Sequence, residues 1–438
     1  MRRKRPLSDP VEIDIDSLSH DGRGIAHVNG KKVFVDNALS GETIRFKYRR
    51  QRSRYDEGEA IEIIKPSEIR IEPLCKHFSV CGGCSLQHMH AEHQIQYKEQ
   101  VLLEQLEHIG KVQPRSVLPA LTGPIWGYRH KARLGVKYVI KKEKVLVGFR
   151  EKRSAFIADI ERCEVLPPAA GTLILPLKDL IAELDIYNTI PQIEIAIDDT
   201  SIVLVLRHLQ EITIADRKKL LDFEKKHNVS FYLQPGGEES IVPLQARGKV
   251  ELAYRIHDDI VIQFSPLDFT QINRTMNRTM IDRVIELMEL QSKDVLLDLF
   301  CGLGNFTLPL AKYVNHITGI EGSRNLVERA GNNAEINRVV NVQFQQVDLY
   351  NEELEASFLN EEYNKILLDP PRSGAREVIE RMQLKSAEKL VYVSCNPATL
   401  ARDAGILVND KGFHLKSAGV MDMFPHTTHV ESIAVFEK

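Results

Sequence analysis

Val295-Leu296-Leu297-Asp298-Leu299-Phe300-Cys301-Gly302-Leu303-Gly304-Asn305-Phe306 decides the fold. Val295–Phe300 has the composition of a buried strand. The glycines behind it permit a tight turn and close backbone approach to a ligand before a helix begins. Outward from this stretch, apolar runs recur at His316–Glu321, Val342–Val347, Lys365–Leu368 and Leu390–Ser394, with helical spacing between them. Phe413–Gly419 and Val430–Phe436 complete the series. Strands and helices in this rhythm predict a doubly wound α/β domain. Two of the strands stop abruptly, one on Asp369-Pro370-Pro371-Arg372 and one on Ser394-Cys395-Asn396-Pro397. If the sheet is parallel, both turns lie on its carboxyl edge, where open α/β sheets bind their ligands.

The glycine turn narrows the cofactor. Thr307 stands where a dinucleotide fingerprint has its third glycine. Glu321 closes the next strand, near the ~20-residue spacing of a ribose-binding acid, and Asp348 closes the third. Asp298 ahead of the glycines, with acids ending the next two strands, is similar to the pattern of S-adenosyl-L-methionine methyltransferases. A nicotinamide enzyme would leave the Asp-Pro-Pro corner without a use. In enzymes that methylate exocyclic amines, an aromatic that stacks on the base follows Asp-Pro-Pro; here Arg372 follows. Uracil C5 is a poor nucleophile until a thiolate adds to C6, after which C5 can attack a sulfonium methyl and a base must remove its proton. Cys395 is the candidate thiolate. A strand-end cysteine without such a motif is more often a small buried residue, as expected of Cys301.

Composition sets the frame. The 438 residues carry a net charge of −3, with 43% hydrophobic and 27% charged residues, enough for two or three domains with cores of their own. No run approaches the ~20 apolar residues of a membrane span. The basic start, Arg2 to Arg5, has no apolar segment behind it, so a cytoplasmic protein is expected. Charge is unevenly spread. Arg45, Lys47, Arg49, Arg50, Arg52 and Arg54 form one acid-free run, and Arg129 to Arg153 is a second basic stretch interrupted by Glu143 and Glu151. Tyr48, Tyr55, Tyr128, Tyr138 and Phe149 are interleaved with them. A single run is commonly a solvated face; two, with aromatics, suit RNA.

Ahead of the α/β region, Val11–Ile15, Val33–Val35, Thr43–Tyr48 and Ala60–Ile64 are predicted strands of a small oligonucleotide-binding-type barrel. A helix is expected over Ala91–Ile109. Pro114 to Asp259 is predicted to be strand-rich, with a hairpin of Gln192–Ile197 and Ser201–Leu206 around Asp198-Asp199. Cys75, Cys81 and Cys84 are spaced C-x5-C-x2-C, leaving Cys163 as the fourth ligand. Four thiolates hold zinc or an iron–sulfur cluster, and three close ligands with one distant favour iron–sulfur. His88, His90 and His93 are substitute ligands, or packing and surface residues. A disulfide framework does not fit a cytoplasmic enzyme.

Ser394-Cys395-Asn396-Pro397 with Thr399, Asp369-Pro370-Pro371-Arg372, Gly82-Gly83-Cys84 with Gln87-His88, and His429-Val430-Glu431-Ser432 together resemble the RNA uracil-5 methyltransferase family. The match covers nearly the whole chain, and its length, barrel and cysteines resemble the branch acting on 23S ribosomal RNA. The resemblance implies Cys395 as nucleophile and Glu431 as the base for the C5 proton. It implies Gln271, Phe300, Asn305, Glu321, Asp348 and Asp369 as contacts for S-adenosyl-L-methionine, with Arg372 near the target nucleotide. It also implies a [4Fe-4S] cluster on the four cysteines, a TRAM barrel and a helix at Ala91–Ile109 packed on the catalytic domain. The expected architecture is a TRAM barrel over 1–68, a central iron–sulfur domain over 69–92 and 122–262, and a Rossmann-like methyltransferase domain over 93–121 and 263–438. The expected product is 5-methyluridine in 23S rRNA, made by a monomer. A tRNA uracil-5 methyltransferase and a non-catalytic RNA-binding assembly factor are the alternatives.

Overall fold

Ile44, Phe46 and Tyr48 alternate with Arg45, Lys47 and Arg49, and a period of two fits one half-buried strand. In a computed structural model of the chain, describing residues 9–245, 250–257, 259–351 and 357–438, that strand is Thr43–Gln51. Its apolar side chains are buried and its basic ones exposed. Around it lies a six-stranded sheet ordered Val11–Asp14, Thr43–Gln51, Tyr55–Lys65, Lys31–Asp36, Gly24–Val28, Ser17–Leu18. Ile15, Ala26, Val33, Val35, Ala38, Ile44, Phe46 and Tyr48 form its core. The four expected strands are present, with somewhat different ends. Gly24–Val28 and Ser17–Leu18, not expected, are too short to carry a pattern.

The chain divides into two units. The first comprises the residues up to Lys98 with Arg150–Phe156 and Phe424–Thr428, and the second Glu99–Phe149, Ile157–Met423 and His429–Lys438. The expected helix runs Ala91–Gln105 and ends in a π turn, Leu106–Gly110. Glycine at 110 is required by close packing: a Cβ there would lie 2.4 Å from the Ala401 carbonyl oxygen.

The second unit holds two large sheets. One is ordered Val242–Pro243, Ser230–Gln234, Ile202–Arg207, Gln192–Ile197, Lys131–Val139, Lys144–Gly148. The expected hairpin is there, its turn held by Asp198, whose carboxylate accepts from the backbone N–H of Thr200 at 2.7 Å and Ser201 at 2.5 Å. The same region, expected to be strand-rich, also contains helices Ile174–Glu183 and Ile214–His227. Thr213 caps the latter by accepting from the Asp216 N–H, and Asn228 ends it in a left-handed conformation, signals that mark helix ends.

The other sheet has eight strands, ordered Val342–Gln346, His316–Glu321, Val295–Leu299, Lys365–Leu368, Lys389–Ser394, Glu431–Glu437, His414–Met421, Ser116–Val117. The first five are mutually parallel, and Glu431–Glu437 runs antiparallel to both its neighbours. All seven predicted strands appear, and Ser116–Val117 adds an eighth. Strand order reverses on either side of Val295–Leu299, the switch point at which such sheets open a ligand crevice. Among the described residues no helix is long and apolar enough to cross a membrane.

Candidate active site

At the switch point the chain turns through three left-handed residues: Phe300 at φ 67°, Gly302 at 55° and Gly304 at 85°. Phe300 bears a side chain in a region that disfavours one, a cost of order 1–3 kcal/mol that the surroundings must offset. The backbone N–H groups of Phe300 and Cys301 both donate to the Ile320 carbonyl, at 2.9 and 3.0 Å, tying the turn to the next strand. Glu321 at that strand's end accepts from Gly302 N–H at 3.2 Å and Ser323 N–H at 2.9 Å. A Cβ on Gly302 would meet nothing within 4 Å, so the turn faces open space, as a cofactor cradle requires.

Beneath the turn Asp298 is fully buried. Thr307 donates to one of its carboxyl oxygens at 2.5 Å and the other has no partner. Burial pushes Asp298 up to about 7, with Asp369 and Glu321 adding to the rise and Thr307 opposing it. Cys301 is buried beside it, its thiol driven well above the usual range by desolvation. That is the packing cysteine expected from sequence. Asn305 forms a reciprocal amide pair with Asn277, at 2.8 and 2.9 Å, and accepts from the Tyr254 hydroxyl at 2.9 Å. Asp348 is exposed and accepts from Tyr350 N–H at 3.0 Å, and the Tyr350 ring lies 5.8 Å from that of Phe300. Phe300, Asn305, Glu321, Asp348 and Asp369 thus follow the carboxyl ends of four adjacent parallel strands. Gln271, half-buried, precedes the helix Arg274–Met288, in a segment pinned where Lys131 donates to the Asp268 carbonyl and Arg329 to its carboxylate.

Cys395 follows the strand Lys389–Ser394, and Glu431 begins its antiparallel neighbour. Ser394 is registered with Ser432, whose hydroxyl donates to the Ser394 carbonyl at 3.1 Å. Cys395 comes one residue after that last pair and Glu431 one before it, and Glu431 is the main charge acting on the Cys395 thiol. Glu431 is buried and Cys395 half-buried. Desolvation pushes the Cys395 thiol up to about 11. Glu431 and then Asp369 add to the rise, and Arg372 works against it. Part of Asp369 stays accessible, yet desolvation raises its carboxyl to about 7.

The two turns are held as one piece. The Asn396 amide donates to the Arg372 carbonyl at 2.8 Å and Thr399 to the same oxygen at 3.3 Å. Asp403, wholly buried on the following helix, accepts from Ala375 N–H and the Tyr392 hydroxyl, each at 2.7 Å. The Arg372 guanidinium lies 3.1 Å from Nδ1 of His429. Asp403, Asn277 and Tyr254 were not singled out from sequence. A carboxylate among the apolar positions Leu400, Ala401, Ala404 and Leu407 of one helix face was the available sign for Asp403.

The raised thiol has a measurable consequence. Peptide-mapped alkylation of Cys395 by iodoacetamide is expected to accelerate roughly tenfold per pH unit from about pH 7 to about pH 10, because the thiolate is the minor species below about 11. A rate that levels off near the ordinary cysteine value, about 8.5, would contradict this environment.

The basic runs fare differently. Arg45, Lys47, Arg49, Arg50, Arg52 and Arg54 are exposed, although Arg45 pairs with Glu62 at 2.5 Å and Arg49 with Asp36 at 3.0 Å. In the second run Arg133 pairs with Glu194, Lys144 with Asp159 and Arg153 with Asp36. Acids outside the run thus pair with three of its basic side chains. None of the six cysteines is in a disulfide. Among the described residues no group of three or more His, Cys, Asp or Glu side chains is arranged to hold a metal ion. Within the cysteine loop, Gly83 N–H donates to the Cys81 sulfur at 3.4 Å. Burial raises the Cys81 thiol, and Cys75 adds to that rise. His88 is buried against Phe78, its rings 5.3 Å apart, and burial holds it neutral by lowering it to about 3.

A sheet reversing beside a glycine cradle, with acids at successive strand ends, defines an S-adenosylmethionine-dependent methyltransferase fold. A family model described as tRNA (Uracil-5-)-methyltransferase matches residues 244–438, and one for the TRAM domain matches 9–61. A relative from Nitrosococcus oceani named 23S rRNA (uracil(1939)-C(5))-methyltransferase RlmD is 51% identical over 439 residues, covering 100% of this chain and 98% of the relative. Its namesake from Methylococcus capsulatus is 48% identical, covering 100% and 99%. The solved Pyrococcus abyssi tRNA (uracil-54, C5)-methyltransferase, in complex with S-adenosyl-L-homocysteine, superposes with a TM-score of 0.74 at 25% identity, covering 97% of this chain and 99% of that one. The chain belongs to the RNA uracil-5 methyltransferase family.

Proposed function

We infer that the protein methylates C5 of a uridine in 23S rRNA, at the position named for its full-length relatives, using S-adenosyl-L-methionine. The observation that carries the chemistry is the thiol of Cys395 at the end of one strand, with Glu431 at the start of its antiparallel neighbour as the main charge acting on it. The observation that favours ribosomal RNA is near-50% identity along the whole chain to relatives so named. S-adenosyl-L-methionine supplies an electrophilic methyl group when bound, and Phe300, Asn305, Glu321, Asp348, Asp369 and Gln271 are the residues proposed to hold it.

Cys395, half-buried, gives its proton to water and adds through sulfur to C6 of the uracil, which places the displaced electron pair on C5. C5 then forms its bond to the methyl carbon as the methyl–sulfur bond breaks, its electron pair staying on the departing sulfur. Glu431 removes the C5 proton, the C5–C6 double bond re-forms, and the thiolate leaves. Arg372, which favours the thiolate, is the residue placed to ease the first step. The uridine must leave its stack to reach a recessed thiol, a few kcal/mol that unpaired RNA reduces. Mapping 5-methyluridine in ribosomal RNA from cells with and without the gene tests this reading. The modification should vanish from 23S rRNA. Loss from tRNA instead would move the substrate to the class of the archaeal neighbour, and no loss anywhere would support a non-catalytic factor.

We further propose that Cys75, Cys81, Cys84 and Cys163 ligate a [4Fe-4S] cluster. Support comes from their spacing, from the N–H···S bond at Cys81, of a type that tunes such clusters, and from Lys152, whose charge both Cys81 and Cys84 favour. Protein purified without oxygen should contain iron and sulfide and absorb broadly in the visible, and Cys81→Ser should lose all three. Colourless, iron-free protein from anaerobic preparation would overturn the assignment.

A further inference from the structure

Phe156 is the most exposed aromatic ring among the described residues, with 75% of its surface accessible. It ends the segment Arg150–Phe156, which belongs to the first unit. This segment is a closed loop. Glu151 N–H donates to the Phe156 carbonyl at 2.9 Å, and Phe156 N–H donates to the Ser154 hydroxyl at 3.0 Å. Its base is pinned on two sides. Gly82 N–H donates to the Arg150 carbonyl at 2.8 Å and Lys152 N–H to the Val80 carbonyl at 2.9 Å. The Lys152 ammonium donates to Asn37 at 3.2 Å and lies 3.8 Å from the centre of the Phe78 ring. Arg153, at φ 56°, reaches Asp36, which also binds Arg49, so two guanidiniums share one carboxylate and the patch stays positive.

A large ring held out in water on a braced loop keeps an apolar face whose burial by a ligand is favourable. Beside exposed guanidiniums at Arg150 and Arg153, the matching ligand is a flat aromatic group attached to a phosphate chain. Every nucleobase offers such a face, and base-on-aromatic stacking tolerates any sequence. We propose that Phe156 is a stacking platform for one unpaired nucleotide of the RNA, away from the methylated uridine. This rests on the RNA substrate inferred above.

The test uses full-length protein and a fluorescein-labelled, transcribed fragment of 23S rRNA containing the substrate uridine. Phe156→Ala should weaken binding roughly 5- to 100-fold while leaving the slope of log affinity against log salt unchanged. Phe156→Tyr should restore binding. Lys47→Ala, which removes a charge, should lower that slope by about 0.7–0.9. The chain has one tryptophan, Trp126, so Phe156→Trp in a Trp126→Phe background reports from the loop alone, and its emission should be quenched as RNA binds. Wild-type affinity in Phe156→Ala, or unquenched emission at saturating RNA, overturns the platform. Failure of the wild-type protein to bind the fragment instead removes the substrate on which the proposal rests.

Discussion

Cys395→Ala is expected to lower methyl transfer by at least about 10⁴-fold, because loss of a covalent nucleophile removes the pathway and not merely a contact. RNA carrying tritium at uracil C5 should release none of its label, and no denaturant-stable protein–RNA adduct should form. The variant should still fold and bind S-adenosyl-L-methionine. Cys395 is half-buried on a turn whose geometry is kept by Asn396, Thr399 and Asp403, not by the thiol. Retained tritium release would end the covalent mechanism, whatever became of the fold assignment.

Glu431→Gln should slow turnover by about 10²–10⁴-fold, the range for loss of a positioned general base, and in a distinctive way. Addition and methylation remain possible, but the methylated C5 keeps its proton and Cys395 cannot leave. A covalent adduct already bearing the transferred methyl should accumulate. The same substitution should speed iodoacetamide alkylation of Cys395, since Glu431 is the main charge holding that thiol in its neutral form. Opposite effects on alkylation and turnover separate a base from a residue that only maintains structure. Normal turnover without adduct would place the base elsewhere.

The catalytic unit was legible because its information is local. Glu321, Asp369 and Cys395 each follow an apolar run short enough to be one strand, and Gly302 and Gly304 mark where the chain must take left-handed angles. The partners that steady those residues come from far along the chain and leave no local trace. Asn305 is held by Asn277 and Tyr254, and Ala375 by Asp403. The acids that pair with Arg133, Lys144 and Arg153 of the second basic run, Glu194, Asp159 and Asp36, likewise lie outside it. Ile174–Glu183 went unread as a helix because Pro176 and surrounding apolar residues obscure its period, although Ile174, Leu177 and Ile181 share its buried face.

The antiparallel ladder between Lys389–Ser394 and Glu431–Glu437 acts as a ruler. Side chains on a strand change faces at every residue, so a slip of one position would turn Glu431 away from Cys395 altogether. The placement of Cys395 and Glu431 follows from six consecutive registered pairs, Lys389↔Glu437 to Ser394↔Ser432, together with the connection from Asp422 to Val430. That connection is itself buried at Asp422, Met423, His426 and Thr427, so a change of length there is expected to disturb the site and not to be absorbed.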